Sequence, residues 1–222
     1  MSLTRFVKNI AMSARKEATY GQYALGVTSG IIPATPLAAK DVFQFRWNPA
    51  NRDLYAVIRK LEVSAAVSTT YFAAGVPVEL ALYKAVAWSV AGTQGTAVTI
   101  DATAKRMASM PASGLVAGDC RIANTDADGI LGGTRTALGN KIASVISGAP
   151  ITASLSGQIF PAGTELIRGN MGAGDAPVVL TPGAAAANAE GLALLVTAPA
   201  TGVWRLSVNI EWDEVEDYPY GR

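Results

Sequence analysis

The segment Asn124–Gly129 carries the pattern closest to a metal site in this sequence. Asn124, Asp126 and Asp128 place oxygen donors at alternate positions, and a glycine follows them, as in the first half of a calcium-binding loop. The position where such a loop supplies its bidentate glutamate is occupied by Arg135, and no flanking helices are predicted. An Asp- and Gly-rich turn between strands accounts for the same residues. The pattern leaves a bound cation open, and we predict no metal site and no cofactor.

Acid–base and nucleophilic chemistry lack their usual residues. The chain has no histidine and a single cysteine, Cys120, so Ser–His–Asp and Cys–His arrangements cannot form. Two carboxylate pairs, Asp213/Glu214 and Glu216/Asp217, are close together near the end of the sequence, whereas glycosidases bring two carboxylates to opposite sides of a cleft. We therefore interpret these acids as a solvated tail, or as a surface for a basic partner. Cys120 is predicted to be structural, and the protein is predicted not to be an enzyme.

Two further patterns indicate binding chemistry only weakly. The glycine-rich run 169–174 lacks the lysine and the following helix of a phosphate-binding loop, so we interpret it as an inter-strand loop. A carbohydrate site would need exposed aromatic rings, and no regular spacing links the available candidates. Those candidates are Tyr71, Phe72, Trp88, Tyr218 and Tyr220.

Composition and charge limit the class of protein. Half of the 222 residues are hydrophobic and only 16% are charged, which favours one β-rich domain with a large core. The net charge of +1 argues against a nucleic-acid partner. Residues 1–60 nevertheless carry nine basic and three acidic residues, while residues 210–222 carry one and five. No apolar run is long enough for a membrane span or a secretory signal, so we expect folding in a cytoplasm and no membrane partner.

Residues 1–42 are predicted to form an N-terminal arm. Leu3, Phe6, Val7 and Ile10 recur at helical spacing, and the stretch that follows is rich in glycine and proline. The arm is either a clasp onto a partner or a poorly ordered terminus. As a clasp, it would use the following residues at its interface: Arg5, Phe6, Lys8, Ile10, Arg15 and Lys16.

Residues 43–222 are predicted to form one antiparallel β-sandwich of the jelly-roll type. Apolar and polar residues alternate from Trp204 to Trp212, which indicates a strand with one buried face. Leu192–Thr197 is apolar on both faces, as in a buried central strand. The alternation in Leu54–Val67 changes phase near Ile58, as a bulge would cause. Shorter strands are predicted at 78–83, 96–100, 119–123, 141–146, 157–160 and 177–180.

Several stretches resemble a family of virion proteins of tailed bacteriophages. They include Arg46-Trp47, the run Ile58–Thr70 (IRKLEVSAAVSTT), the run Phe72–Gly75 with Val78–Tyr83, and Lys105–Pro111 with Asp119–Ala123. The remainder lies in the last forty residues: Ala189–Val196, Pro199–Trp204 and Glu211–Val215. The resemblance spans roughly residues 43–216 and consists mainly of strand and turn signatures.

The resemblance implies a function for this chain. Members of the family look like jelly-roll decoration or cement proteins that bind the capsid exterior and stabilise the shell. The chain would then have the major capsid protein and further copies of itself as partners, with a trimer expected, and would be located on the outside of the virion. Two alternatives stay open: a tail, neck or receptor-binding component of the virion, and a carbohydrate- or calcium-binding sandwich module.

Overall fold

A computed structural model of the chain describes residues 19–32, 40–72, 77–100, 104, 110–124, 133–147, 157–169, 177–199 and 202–216, and the structural statements below concern these residues. The regular structure of these residues is almost entirely β, and a short 3-10 turn lies at Ala186–Asn188. The strands are β1 (Thr19–Thr28), β2 (Lys40–Trp47), β3 (Tyr55–Thr70), β4 (Glu79–Val90), β5 (Thr96–Ala97), β6 (Cys120–Ile122), β7 (Thr134–Ile146), β8 (Gln158–Arg168), β9 (Val178–Leu180), β10 (Glu190–Thr197) and β11 (Val203–Val215).

The strands form two antiparallel sheets that pack face to face, which confirms the predicted sandwich. Sheet A has the order β1-β11-β3-β8, with β9 pairing along another part of β3. Sheet B has the order β5-β6-β2-β10-β4-β7. We call the side of each sheet that packs on the other sheet its inner face, and the opposite side its outer face.

The eight longer strands pair in a nested order. The first pairs with the last (β1 with β11), the second with the next to last (β2 with β10), then β3 with β8 and β4 with β7. Successive pairs alternate between the two sheets. This is the order produced when one long antiparallel ribbon is rolled up, and it defines a jelly roll.

The last two strands occupy the centres of the sheets. In β11, alternate residues are buried in the core: Trp204, Leu206, Val208, Ile210 and Trp212. The residues between them are more exposed: Arg205, Ser207, Asn209 and Glu211. In β10, which lies between β2 and β4, the run Gly191–Val196 is buried on both faces. Both predictions for these strands are confirmed. Alternation of apolar and polar residues indicates a strand that is buried on one face. An unbroken apolar run indicates a strand that is buried on both faces.

The phase change predicted near Ile58 is a bulge at Arg59. Lys60 pairs with Glu211 and Ile58 pairs with Trp212, so Arg59 is an extra residue in β3. The edge of β3 away from β11 also changes partner near this point: β8 pairs with it from Lys60 onward and β9 pairs with Ala56–Ile58. The bulge therefore separates the two strands that share one edge of β3.

The segment predicted as an arm contributes a strand to the sandwich. Within residues 1–42, Thr19–Thr28 forms β1 and pairs with β11, and the predicted boundary at 42/43 falls inside β2. Glycine suggested a linker here, but Gly26 is an exposed strand residue paired with Asn209, and a Cβ on it would lie 2.9 Å from the flexible Asn209 side-chain oxygen. Tyr23, Leu25 and Val27 contact the core, and this alternation is the signal that identifies the strand.

Candidate functional site

The residues predicted to form a partner-binding arm lie outside the described part of the chain. This applies to all six of them, Arg5, Phe6, Lys8, Ile10, Arg15 and Lys16. Their role stays a prediction. The same holds for most of the cation-loop pattern, of which only Asn124 is described, and for Tyr218 and Tyr220.

The acidic residues at the end of β11 are not a solvated tail, which corrects the interpretation from the sequence for Asp213 and Glu214. Both are buried. Asp213 points to the bulge residue Arg59, whose Nε donates to Asp213 Oδ2 at 2.6 Å. The bulge in β3 places the guanidinium beside this carboxylate, so the irregularity and the ion pair belong together. Glu216 is exposed, and Asp217 lies beyond the described residues.

Glu214 fixes the segment 110–115 to the end of the sandwich. Its carboxylate accepts hydrogen bonds from the Ser113 hydroxyl at 2.6 Å, from the Gly114 amide at 3.0 Å and from the Trp212 indole at 3.1 Å. Burial raises the pKa of Glu214 above its ordinary value, and these three donors oppose that rise. The Glu214 carboxylate is therefore a structural anchor that joins residues 113–114 to the end of β11.

The pH dependence of stability should reveal the buried state of Glu214. Because the folded-state pKa is raised, the stability contributed by this group is fully present below the ordinary value of 4.5 and is lost as pH rises through the folded-state pKa. The variant Glu214→Gln cannot ionise. We therefore expect the stability of the wild type relative to this variant to fall with rising pH and then become constant, as measured by urea unfolding between pH 4 and 8.

A control for this measurement is available two residues further along. Glu216 is exposed at the end of β11, and Glu216→Gln should retain the pH dependence of the wild type. Parallel stability curves for the wild type and Glu214→Gln would show that the carboxylate does not change its proton affinity on folding.

A charged network covers part of the outer face of sheet B. Arg46 of β2 reaches the Asp119 carboxylate at 2.8 Å and donates to the backbone oxygens of Trp88, Ser89 and Ala186. Arg46 and Asp119 are both buried. Burial raises the pKa of Asp119, and the Arg46 guanidinium acts in the opposite direction. This one side chain therefore links β2 to β4 and to the segments before β6 and β10.

A second arginine extends the network across the sheet. Arg135 of β7 forms two hydrogen bonds with Asp41 of β2, at 2.6 and 2.8 Å, and its guanidinium lies 5.2 Å from the centre of the Trp88 ring. Gln44 also donates to Asp41, at 2.6 Å. Arg135 occupies the place of the calcium-loop glutamate in the sequence pattern, and in the folded protein it neutralises a buried acid.

Trp88 and Phe72 are buried, so neither provides the exposed ring that a carbohydrate site needs. Ala87 has a positive φ of 50°, and this turn in β4 directs the Trp88 ring onto the outer face of sheet B. The ring lies over Gly191, where a Cβ would approach it to 2.8 Å. Tyr71 is the aromatic candidate that the structure leaves exposed within the described ranges.

The sulfur of Cys120 is enclosed in the core. The residue is fully buried, and burial raises the pKa of the thiol well above its ordinary value. The neutral thiol is therefore the stable form, and it packs as a small apolar group. Within the described ranges, no three His, Cys, Asp or Glu side chains are grouped as a metal site would require.

Two shallow depressions lie on sheet A. The larger, of about 510 Å³, is lined mainly by small and polar side chains, among them Ser64, Gln158, Arg205 and Ser207. The smaller, of about 230 Å³, surrounds the Arg59–Asp213 pair. Among the described residues, Arg205 is the one cation lining the larger depression.

Comparisons with protein-family models, with curated proteins and with solved structures found no match to this chain. In the part of the chain that is described, no helix has the length and hydrophobicity needed to cross a bilayer.

Proposed function

We propose that this chain is a decoration or cement protein of a tailed-bacteriophage virion, which binds the capsid exterior and stabilises the shell of the major capsid protein. The observation that carries the proposal is the nested jelly-roll order of the eight longer strands. The stretches that resemble phage virion proteins coincide with this framework: 58–70 is most of β3, 190–196 is most of β10, and 203–204 and 211–215 are the two ends of β11.

The motif residues support a structural role because their side chains stabilise the fold. Arg46 neutralises Asp119, and the Trp47 indole donates to the backbone oxygen of Leu54 at 2.8 Å. Glu214 anchors the segment 110–115. A motif that served catalysis would keep such groups at a cleft, where their pKa values and geometry act on a substrate.

A rigid block of this kind suits attachment through many weak contacts. Copies that bind a shell and one another gain effective concentration from each contact already made, so modest contacts together hold firmly. The basic N-terminal segment, with Arg5, Lys8, Arg15 and Lys16, supplies a further contact to an acidic surface of a capsid subunit or of a neighbouring copy. The partners are the major capsid protein and other copies of this chain.

Removing the N-terminal segment should release the protein from particles. Deletion of residues 1–18 stops before β1, so the sandwich should fold, while occupancy on purified particles should fall roughly tenfold because one of several linked contacts is lost. Quantitative mass spectrometry of washed particles gives the number of copies per capsid. The full-length protein should be present in hundreds of copies, whereas a tail or neck component would be present in a few to tens.

Two charge variants test whether binding depends on the charges of the N-terminal segment or on the total charge of the protein. Arg5→Ala with Lys8→Ala removes two positive charges from the N-terminal segment. Arg168→Ala with Arg205→Ala removes two from exposed positions of sheet A. We expect the first pair to lower occupancy and the second to leave it unchanged. Equal occupancy of the wild type and the deletion variant would contradict the role of the segment, and absence of the protein from particles would contradict the proposal as a whole.

A further inference from the structure

The four lateral edges of the two sheets differ in how well they are protected against pairing with another strand. Edge strands in soluble proteins are usually short, bulged, or charged. β5 has two residues. β7 contains Arg135 and Lys141 and has several register shifts against β4, and β8 contains Pro161, Glu165 and Arg168 and has several register shifts against β3.

β1 has one register shift against β11, between Thr19 and Gly21, and lacks these protective features from Gly21 to Thr28. Its ten residues, TYGQYALGVT, include no charged residue and no proline. Its register against β11 is unbroken from Gly21 to Thr28. Among the described strands, β1 pairs with β11 alone, so its other edge is not covered by a strand. A long, regular and uncharged edge is a template for another strand.

The alternation of backbone groups identifies the free positions. The Gln22 amide donates to the Met110 sulfur at 3.2 Å and therefore points away from β11, whereas the Ser29 amide donates to the Leu206 oxygen in β11. In an antiparallel strand the outward-pointing residues alternate with the paired ones. Ala24, Gly26 and Thr28 thus direct their backbone N–H and C=O groups to the open edge, and Gly26 lies at the centre of this stretch.

We propose that the open edge of β1 pairs with β1 of a second copy, antiparallel and about a two-fold axis at Gly26. In this register Gly26 faces Gly26 of the other copy, and Ala24 faces Thr28 in both directions. Each pair exchanges two backbone hydrogen bonds, and sheet A becomes continuous through both copies. Such a contact uses the same surface on both partners, as the commonest dimers do.

A second copy is the partner that the chemistry of β1 favours. The seam contains no charge, so two copies can approach without repulsion, whereas self-pairing of β7 or β8 would bring charged and bulged strands together. Leu25 and Val27 lie at the rim of the core and are only partly buried. The added strand would place the same two side chains of the other copy beside them and would cover this rim.

Cysteine cross-linking tests the register of the pair. Facing residues of a hydrogen-bonded antiparallel pair have Cα atoms about 5.5 Å apart, which is within the range of about 4.4–6.8 Å for disulfides. Gly26→Cys should therefore give a cross-linked dimer under oxidation, and the native Cys120 is buried and should not interfere. Ala66→Cys is the matched control, because Ala66 is exposed in β3, away from the β1 edge. It should stay monomeric on a non-reducing gel.

Association of the free full-length chain is the second test. Sedimentation velocity of the wild type should show the mass rise from 22.9 kDa to twice that value as concentration increases. Gly26→Lys places two charges on the axis and should weaken association roughly tenfold or more, while Ala66→Lys should not. Ala24→Pro removes an N–H that points to the open edge, which a folded edge strand tolerates, and it should also abolish the dimer.

Clear results would overturn this pairing. The first is a wild type that stays monomeric at all concentrations, combined with the absence of a cross-link in Gly26→Cys. The second is a cross-link that forms as efficiently in Ala66→Cys as in Gly26→Cys. These measurements use free protein, so their outcome is independent of capsid binding. The pair is two-fold, so the three-fold association expected from the family resemblance would need a different surface.

Discussion

Replacement of Trp204 by alanine is expected to lower the free energy of unfolding by roughly 3–5 kcal/mol, the usual cost of emptying a large aromatic site in a core. The Trp204 ring is 1% exposed at the start of β11. Its backbone forms an isolated bridge with Ile32, with hydrogen bonds of 2.8 and 3.2 Å. The cavity would therefore open where the segment after β1 closes over the sandwich, and neighbouring side chains could refill it only in part.

The adjacent residue provides the control for this variant. Arg205 is exposed on the outer face of sheet A, and Arg205→Ala should change stability by no more than about 0.5 kcal/mol. Urea unfolding monitored by circular dichroism measures both variants. A loss below about 1 kcal/mol for Trp204→Ala would contradict the inward orientation of the ring.

Loss of Arg46 is expected to destabilise the fold by a similar amount. Arg46→Ala leaves Asp119 as a buried charge without its partner, which typically costs about 3–5 kcal/mol. It also leaves the Trp88, Ser89 and Ala186 backbone oxygens without this donor. Arg121→Ala is a matched control, because Arg121 also donates to three backbone oxygens, in the segment 93–95, but does so close to solvent. It should cost about 1 kcal/mol.

A double variant separates the charge pair from the other contacts of Arg46. If Asp119 depends on Arg46, the double variant Arg46→Ala with Asp119→Ala should be more stable than the sum of the two single losses predicts, by roughly 0.5–3 kcal/mol. Unfolding free energies of the four proteins give this coupling energy. Strict additivity would show that the two side chains do not stabilise each other.

The strands with regular alternation could be predicted from the sequence because each residue there reports only its own environment. β11 belongs to this group, and the change of phase in β3 located the bulge at Arg59. β10 was recognised by a different signal, an unbroken apolar run. β7 and β8 extend well beyond the predicted 141–146 and 157–160, because their bulges interrupt the alternation. In β7 the interruption includes Gly139, which lies close to the Lys84 backbone oxygen.

Buried charge could not be predicted because its partners are remote in the sequence. Asp213 and Glu214 are adjacent to exposed Glu216, and their own pattern gives no sign that Arg59, Ser113 and Gly114 come to meet them. The same is true of Asp41 and Arg135, which are brought together from β2 and β7. A polar residue inside an apolar strand, such as Arg46 in KDVFQFRW, is the signal that a sequence does offer for such a network.

The nested strand order has a consequence for synthesis. Sheet A has β11 between two neighbouring strands and sheet B has β10 between two, and these are the last two of the described strands to be synthesised. A growing chain therefore contains β1 to β4 before the strands that lie between them in the sheets have been made. Thr19, for example, cannot pair until Val215 has been synthesised. Proteins dominated by such distant pairings fold in roughly milliseconds to seconds. Neither sheet can therefore be completed until β10 and β11 have both been synthesised and have left the ribosome.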